Sequence, residues 1–280
     1  MDDPCWRTGE AVDALAASGE HVLVSFEVDA ETYGRFMGRF SRPLAAVLAD
    51  VVDVSAGQCA LDVGCGTGAL TEVLVSRLGV DHVSAADPSE SFVSAVRHRY
   101  PSMDVRLSTA ETLDFPDAAF DLALACLVVH FMTDPVRGLS RMARTTTPGG
   151  VVGACVWDHA GGRGPLGLFW QVVRENDPQA VDESHLPGVV EGDLPALLMA
   201  AGLRDVRSTA LQVSVAHQDF DDWWQPFTRG VGPAGNYVSS LDPQSRDQLE
   251  HALRRRLPDG PFATTALAWT AWGRRPDSDG

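Results

Sequence analysis

The chain has 280 residues, 45% of them apolar, which is enough for one large α/β domain with a sizeable core. A formal net charge of −16 argues against a general nucleic-acid binder, which needs basic patches. All 22 basic residues are Arg, and the absence of Lys excludes a P-loop lysine, a Schiff-base lysine and a pyridoxal-phosphate anchor.

Residues 1–25 carry no clear motif, and the opening MDDPCWRTGEAVDAL lacks the basic and apolar regions of a signal peptide. The longest apolar runs, such as LALACLVV, are too short to cross a bilayer. A cytoplasmic protein without membrane contact is expected. In ETYGRFMGRFSRPLAAVLADVV, Tyr33, Phe36, Met37 and Phe40 recur at helical spacing and mark one apolar face. From residue 59 the pattern alternates. CALDV reads as a strand, GALTEVLVSRL as a helix, HVSAAD as a strand and PSESFVSAVRHRY as a helix opened by Pro88 and Ser89.

A strand VRLSTA follows, then a long apolar strand FDLALACLVV and a helix PVRGLSRMARTT stopped by Pro148–Gly149–Gly150. VVGACVW makes the fifth strand. Apolar strands alternating with helices predict a parallel sheet covered on both faces. Beyond it, GLFWQVVREN and DLPALLMAAG read as helices, and LRDVRSTALQVSV and FATTALAWTAWGRR as strands. Between those two strands, the aromatic, Gly- and Pro-rich stretch from Asp219 to Leu241 reads as an insertion shaping a pocket wall.

LDVGCGTGAL places Gly64, Gly66 and Gly68 directly after a strand. Such a loop lets a ligand touch backbone and aims helix N–H groups at it. Asp87, at the end of the second strand and about 20 residues on, stands where an acid bonds ribose hydroxyls. Both features fit a dinucleotide as well as S-adenosylmethionine. Asp62 separates them: a carboxylate there repels a diphosphate but stabilises the donor's ammonium and sulfonium, by roughly 4 kcal/mol for a pair at about 4 Å in an effective dielectric near 20.

LDVGCGTG, AADPSESFV, AETLDFPDAAFDLALACLVVHFMTDP and PGGVV together resemble the successive motifs of class I S-adenosylmethionine-dependent methyltransferases. The likeness covers about residues 30–158 and is greatest to the small-molecule branch that includes the ubiquinone/menaquinone methyltransferases. It implies an α/β, Rossmann-like, seven-stranded and mostly parallel sheet with helices on both faces and the last strand antiparallel. It also implies that Gly64, Cys65 and Gly66 wrap the methionine end of the donor and that Asp62 binds near its ammonium. Asp87, beside Pro88, takes the ribose hydroxyls, Ala110 and Glu111 border the adenine, and Cys126 and Leu127 floor the site. Thr109 stands where the family often has Asp, which weakens the adenine assignment. Tyr33 and Arg39 match a helix that covers the donor and contacts its carboxylate.

Methyl transfer needs positioning and exclusion of water, and a base only where the acceptor must lose a proton. His130, just past the fourth strand, is the candidate base. Phe36, Trp157, His159, Trp224 and Tyr237 are candidates for the acceptor pocket, each able to serve as plain core instead. No HExxH or paired-Cys spacing supports a metal, and no G-x-S-x-G a hydrolase. The expected organisation is a single domain over 1–280: an N-terminal helical cover (1–50), a donor-binding core (51–158), then acceptor-pocket insertions and C-terminal strands (159–280). Expected function is methyl transfer to O, N or C of a small apolar or aromatic metabolite, by a monomer or homodimer. An NAD(P)-dependent oxidoreductase and a non-catalytic donor-binding protein are the alternatives.

Overall fold

The computed structural model describes residues 37–230 and 232–277. Seven strands form one sheet: β1 (Ala60–Val63), β2 (Val83–Asp87), β3 (Asp104–Leu107), β4 (Phe120–Cys126), β5 (Thr146–Trp157), β6 (Arg204–His217) and β7 (Phe262–Arg274). Their order is β3-β2-β1-β4-β5-β7-β6. β1 to β5 pair in parallel, and β7 lies antiparallel to both β5 and β6. The helices are α1 (Gly38–Val51), α2 (Ala69–Leu78), α3 (Glu90–Arg99), α4 (Pro135–Thr145), α5 (Gly167–Asn176), α6 (Asp193–Ala200), α7 (Phe220–Trp224), α8 (Gly232–Ser240) and α9 (Pro243–Arg254).

The side-chain period of a strand is two, so a sheet covered on both faces needs apolar residues at every position. β4 shows the consequence. Leu122 and Leu124 join a cluster with Leu44 and Leu48 of α1 and Leu70 and Leu74 of α2. Their neighbours Ala123 and Ala125 face the other way, onto Leu139 and Met142 of α4 and Leu194 and Leu198 of α6. The parallel strands all point their carboxyl ends at one edge, which is where the site forms.

Three details differ from the reading of the sequence. β4 stops at Cys126 instead of running on to Val129, because Leu127 adopts a left-handed φ of 66° and turns the chain. Pro148–Gly149–Gly150 is part of β5: the pairing slips between Phe120↔Thr146 and Leu122↔Val151, and this irregularity absorbs the extra residues. The aromatic stretch after Asp219 is helical (α7, a 3-10 segment Gln225–Arg229, and α8), and its rings turn inward. With α5 and α9 they build a third cluster in which the Phe169 and Phe227 rings stack at 4.8 Å.

Trp224 sits in that cluster, 4% exposed, and its Nε1 donates to Glu250 Oε2 at 3.0 Å. Trp224→Ala therefore lowers the free energy of unfolding by about 3–5 kcal/mol, because the helices around it cannot collapse onto so large a void. Denaturant titration checks this, and an unchanged midpoint would contradict the packing.

Candidate active site

β1 ends where three glycines in left-handed conformation begin: φ is 71° at Gly64, 51° at Gly66 and 88° at Gly68. Any other residue at those angles is strained. Gly64 N and Cys65 N both donate to Ala86 O, at 2.7 and 3.0 Å. Asp87 Oδ2 then accepts from Gly66 N at 2.8 Å, while its Oδ1 accepts from Ser89 N at 2.8 Å at the entry to α3. The loop is thus tied to the end of β2 and opens into a cleft. Asp62, Cys65, Asp87, Pro88, Cys126 and Leu127 are among its walls.

Asp62 is 1% exposed, and Thr71 Oγ1 donates to its Oδ2 at 2.6 Å, but its Oδ1 has no partner. Burial pushes its carboxyl up to about 7, with a further push from the charge of Asp87 and an opposing pull from Thr71. Burial also raises Asp87, opposed by the two backbone N–H groups it accepts, and holds the Cys65 thiol well above its ordinary range. A buried carboxylate oxygen without a donor is costly, so this wall of the cleft is matched to a ligand that brings hydrogen-bond donors and positive charge.

His130 lies in the 3-10 turn Val129–Phe131 after β4. Its ring is 3.8 Å from that of Phe131, which borders the cleft, and 5.7 Å from that of His159 after β5. Burial holds His130 well below the usual histidine range, and its Nδ1 has no partner. His159 is pushed down to about 4 by burial, against the pull of Asp182 and Asp158. Both imidazoles are neutral at pH 7.

Other residues singled out in the sequence stand elsewhere. Ala110 and Glu111 occupy the 3-10 turn after β3, beyond the walls of the cleft, and Glu111 Oε1 accepts from Asp134 N at 3.2 Å. Arg39 pairs with Asp222 at 2.9 Å and donates to Ala216 O, so its guanidinium joins α1 to the β6–α7 connection. Trp157 is 1% exposed, edge-on to Phe40 at 6.3 Å. Trp224 packs in the third cluster and Tyr237 against it, with Tyr237 Oη donating to Asp177 Oδ2 at 3.2 Å. Tyr33 and Phe36 lie outside the described residues. The sequence reading missed Ser41, Phe92 and Phe131 as cleft walls and Thr71 as the partner of Asp62. Thr71 was within reach of it: a hydroxyl one helical turn past the loop is well placed to meet the acid at the end of β1.

The glycines separate two effects. A Cβ at Gly64 would fall 2.5 Å from Val128 Cγ2, whereas one at Gly66 meets nothing within 4 Å and projects into open space. Gly64→Ala therefore loses about 2 kcal/mol or more of stability from overpacking and backbone strain. Gly66→Ala loses only about 1 kcal/mol of stability, its Cβ entering the cleft without a clash. Thermal unfolding of the two variants checks the difference.

Residues 61–153 match a family described as "Methyltransferase domain". An uncharacterized methyltransferase of Mycobacterium tuberculosis is 35% identical over 144 residues, 51% of this chain and 56% of that protein, so the match spans little over half of its length. A trans-aconitate 2-methyltransferase of Methylobacterium radiotolerans is 32% identical over 241 residues, 82% of this chain and 88% of that protein. Among solved structures, the YcgJ protein of Bacillus subtilis superposes with a TM-score of 0.52 at 15% identity, covering 84% of this chain and 98% of that one. A Haemonchus contortus phosphoethanolamine N-methyltransferase in complex with S-adenosylhomocysteine superposes with a TM-score of 0.54 at 16% identity, over 89% of this chain and 57% of that one. The strand order, the glycine loop and the relative matched over 88% of its length agree: the chain belongs to the class I S-adenosylmethionine-dependent methyltransferases.

Proposed function

We propose that the cleft over the glycine loop holds S-adenosylmethionine and that the chain methylates O, N or C of a small molecule with an apolar or aromatic body. The observation that carries this is Asp62 Oδ1, a buried and unpartnered carboxylate oxygen beside a loop whose Gly66 faces open space. In this reading Asp62 takes the donor's ammonium, Asp87 its ribose hydroxyls by the lone pairs not used on Gly66 N and Ser89 N, and Cys126 and Leu127 floor the site. The donor supplies a methyl group already activated by sulfonium. The ubiquinone-like branch and the trans-aconitate relative leave the acceptor open.

His130 is the proposed general base. Its neutral ring can accept, at the unpartnered Nδ1, a proton from an acceptor hydroxyl or amine in the turn between β4 and the cleft. His130→Ala lowers kcat by about 10²-fold or more where the acceptor must be deprotonated, with S-adenosylhomocysteine affinity unchanged. Steady-state kinetics and calorimetry on one preparation check both halves.

The charge of Asp62 gives a pH test. Its carboxyl rises from an ordinary value of 3.8 to about 7 in the fold, so the folded chain keeps a proton that the unfolded chain releases. Its burial therefore costs stability increasingly as pH rises through that window, and a bound ammonium relieves the cost. Because the ammonium needs the ionised acid, binding of S-adenosylhomocysteine weakens as pH falls below about 7, approaching tenfold per unit, with proton release on binding. Calorimetry in buffers of different ionisation enthalpy measures this. Asp62→Asn abolishes the dependence, and a flat profile in the unaltered chain would sink the assignment.

A further inference from the structure

Thr71 is the third residue of α2 and is fully buried, and its helix neighbours Leu70 and Leu74 belong to the apolar core. A hydroxyl in such a place costs free energy unless it is bonded, and the usual partner is a carbonyl one turn back along the helix. Thr145 and Thr146, at the end of α4, follow that habit: each Oγ1 donates to Met142 O, at 2.9 and 2.8 Å. Thr71 does not. Its one hydroxyl proton goes across to β1, to Asp62 Oδ2 at 2.6 Å, a length typical of a hydroxyl donating to a carboxylate. If packing were all that mattered here, valine, the same shape without the hydroxyl, would serve as well. What threonine adds is the hold on Asp62.

That hold has a direction. Asp62 stands in the wall of the donor cleft and Thr71 lies behind it, outside the wall. The bond therefore fixes Oδ2 on the protein side and leaves Oδ1 without a partner. Burial is the largest influence on the Asp62 carboxyl and pushes it up to about 7; the Thr71 hydroxyl pulls the other way, the Asp87 charge adds to the push, and the Thr71 main-chain N–H adds a weaker pull. The other titratable groups near Asp62 are Asp87 at the end of β2, Cys65 in the glycine loop and Cys126 at the end of β4. Among the described residues, the pull toward the ionised form comes from Thr71.

We propose that Thr71 is a positioning residue of the donor site: its hydroxyl anchors Asp62 Oδ2 to the first turn of α2 and so presents Oδ1 to the ammonium of the methyl donor. The proposal rests on the reading of the cleft as the S-adenosylmethionine site and adds a residue that acts there only through Asp62. It carries a consequence for pH. Without the hydroxyl the buried carboxyl is harder to ionise and keeps its proton to higher pH, so binding that requires the ionised acid is lost over a wider range.

Thr71→Val removes the hydroxyl and keeps the shape. Calorimetry of S-adenosylhomocysteine binding, from about pH 6 to about pH 8.5, compares it with the unaltered chain and with Thr71→Ser, which keeps the hydroxyl. Expected for Thr71→Val is affinity reduced about tenfold near pH 7, a deficit that shrinks toward the alkaline end, and recovery of both in Thr71→Ser. A second measurement needs no donor: with aspartate carboxyls labelled in ¹³C and Asp62 assigned by Asp62→Asn, the titration midpoint of Asp62 rises by about one unit in Thr71→Val. Affinity within about twofold of the unaltered chain, a deficit equal at every pH, no recovery in Thr71→Ser, or an unmoved Asp62 midpoint would overturn the proposal and leave Thr71 a packing residue. If Thr71→Val does not fold, Thr71→Ser and Thr71→Ala decide, since both lose the methyl and they differ in the hydroxyl; equal affinities across the pH range overturn it. Failure of the unaltered chain to bind S-adenosylhomocysteine would count against the donor cleft instead, while the carboxyl titration still tests the hold of Thr71 on Asp62.

Discussion

Asp87 accepts two backbone N–H groups at once, Gly66 on one oxygen and Ser89 on the other, each at 2.8 Å. Hydrogen bonds to a charged acceptor contribute about 1.5–3 kcal/mol each, and here they join three elements, β1, β2 and α3, at a point. Together with Ala86 O, which takes the N–H groups of Gly64 and Cys65, they hold a loop whose glycines lose much conformational entropy on ordering. The positions of Asp62, of the first turn of α2 and of the cleft floor all follow from that knot.

The knot also stores electrostatic tension. Asp62 and Asp87 border one cleft, both are buried, and the charge of Asp87 raises the pKa of Asp62. Across the cleft, Leu127 holds a left-handed φ of 66° without being glycine. Such strain persists only where surrounding structure over-determines it, and it concentrates at functional sites. A ligand that brings positive charge to this cleft relieves the carboxylates and so gains affinity from a cost the empty fold already bears.

Much of this was legible in the sequence. CALDV, HVSAAD and the glycine loop between them announce themselves because period, propensity and turn chemistry agree there. The fully apolar run in FDLALACLVV signals a strand buried on both faces, but its end was misjudged: nothing in the composition of Leu127 and Val128 distinguishes a left-handed turn from one more strand residue. The aromatics after Asp219 misled for a related reason. Trp and Phe suit a pocket and a core equally, and only the helical packing of α5, α7 and α9 shows that Trp224 lies among side chains of its own cluster. Arg39 was invisible as a strut because its partner, Asp222, is 183 residues away.

The placement of β7 carries a consequence for how the chain comes into being. β6 is paired with β7, and β7 in turn with β5, so residues 262–274 bridge two strands made well before them. While a ribosome is still adding that segment, β5 has one open edge and the fourteen-residue β6 has no neighbour to receive its backbone groups. The half made of β1 to β4 with its glycine knot can assemble during that interval from pairings already complete. Exposed edges of this length invite pairing with other nascent chains, so the last strand acts as a clasp whose arrival ends the period of greatest risk.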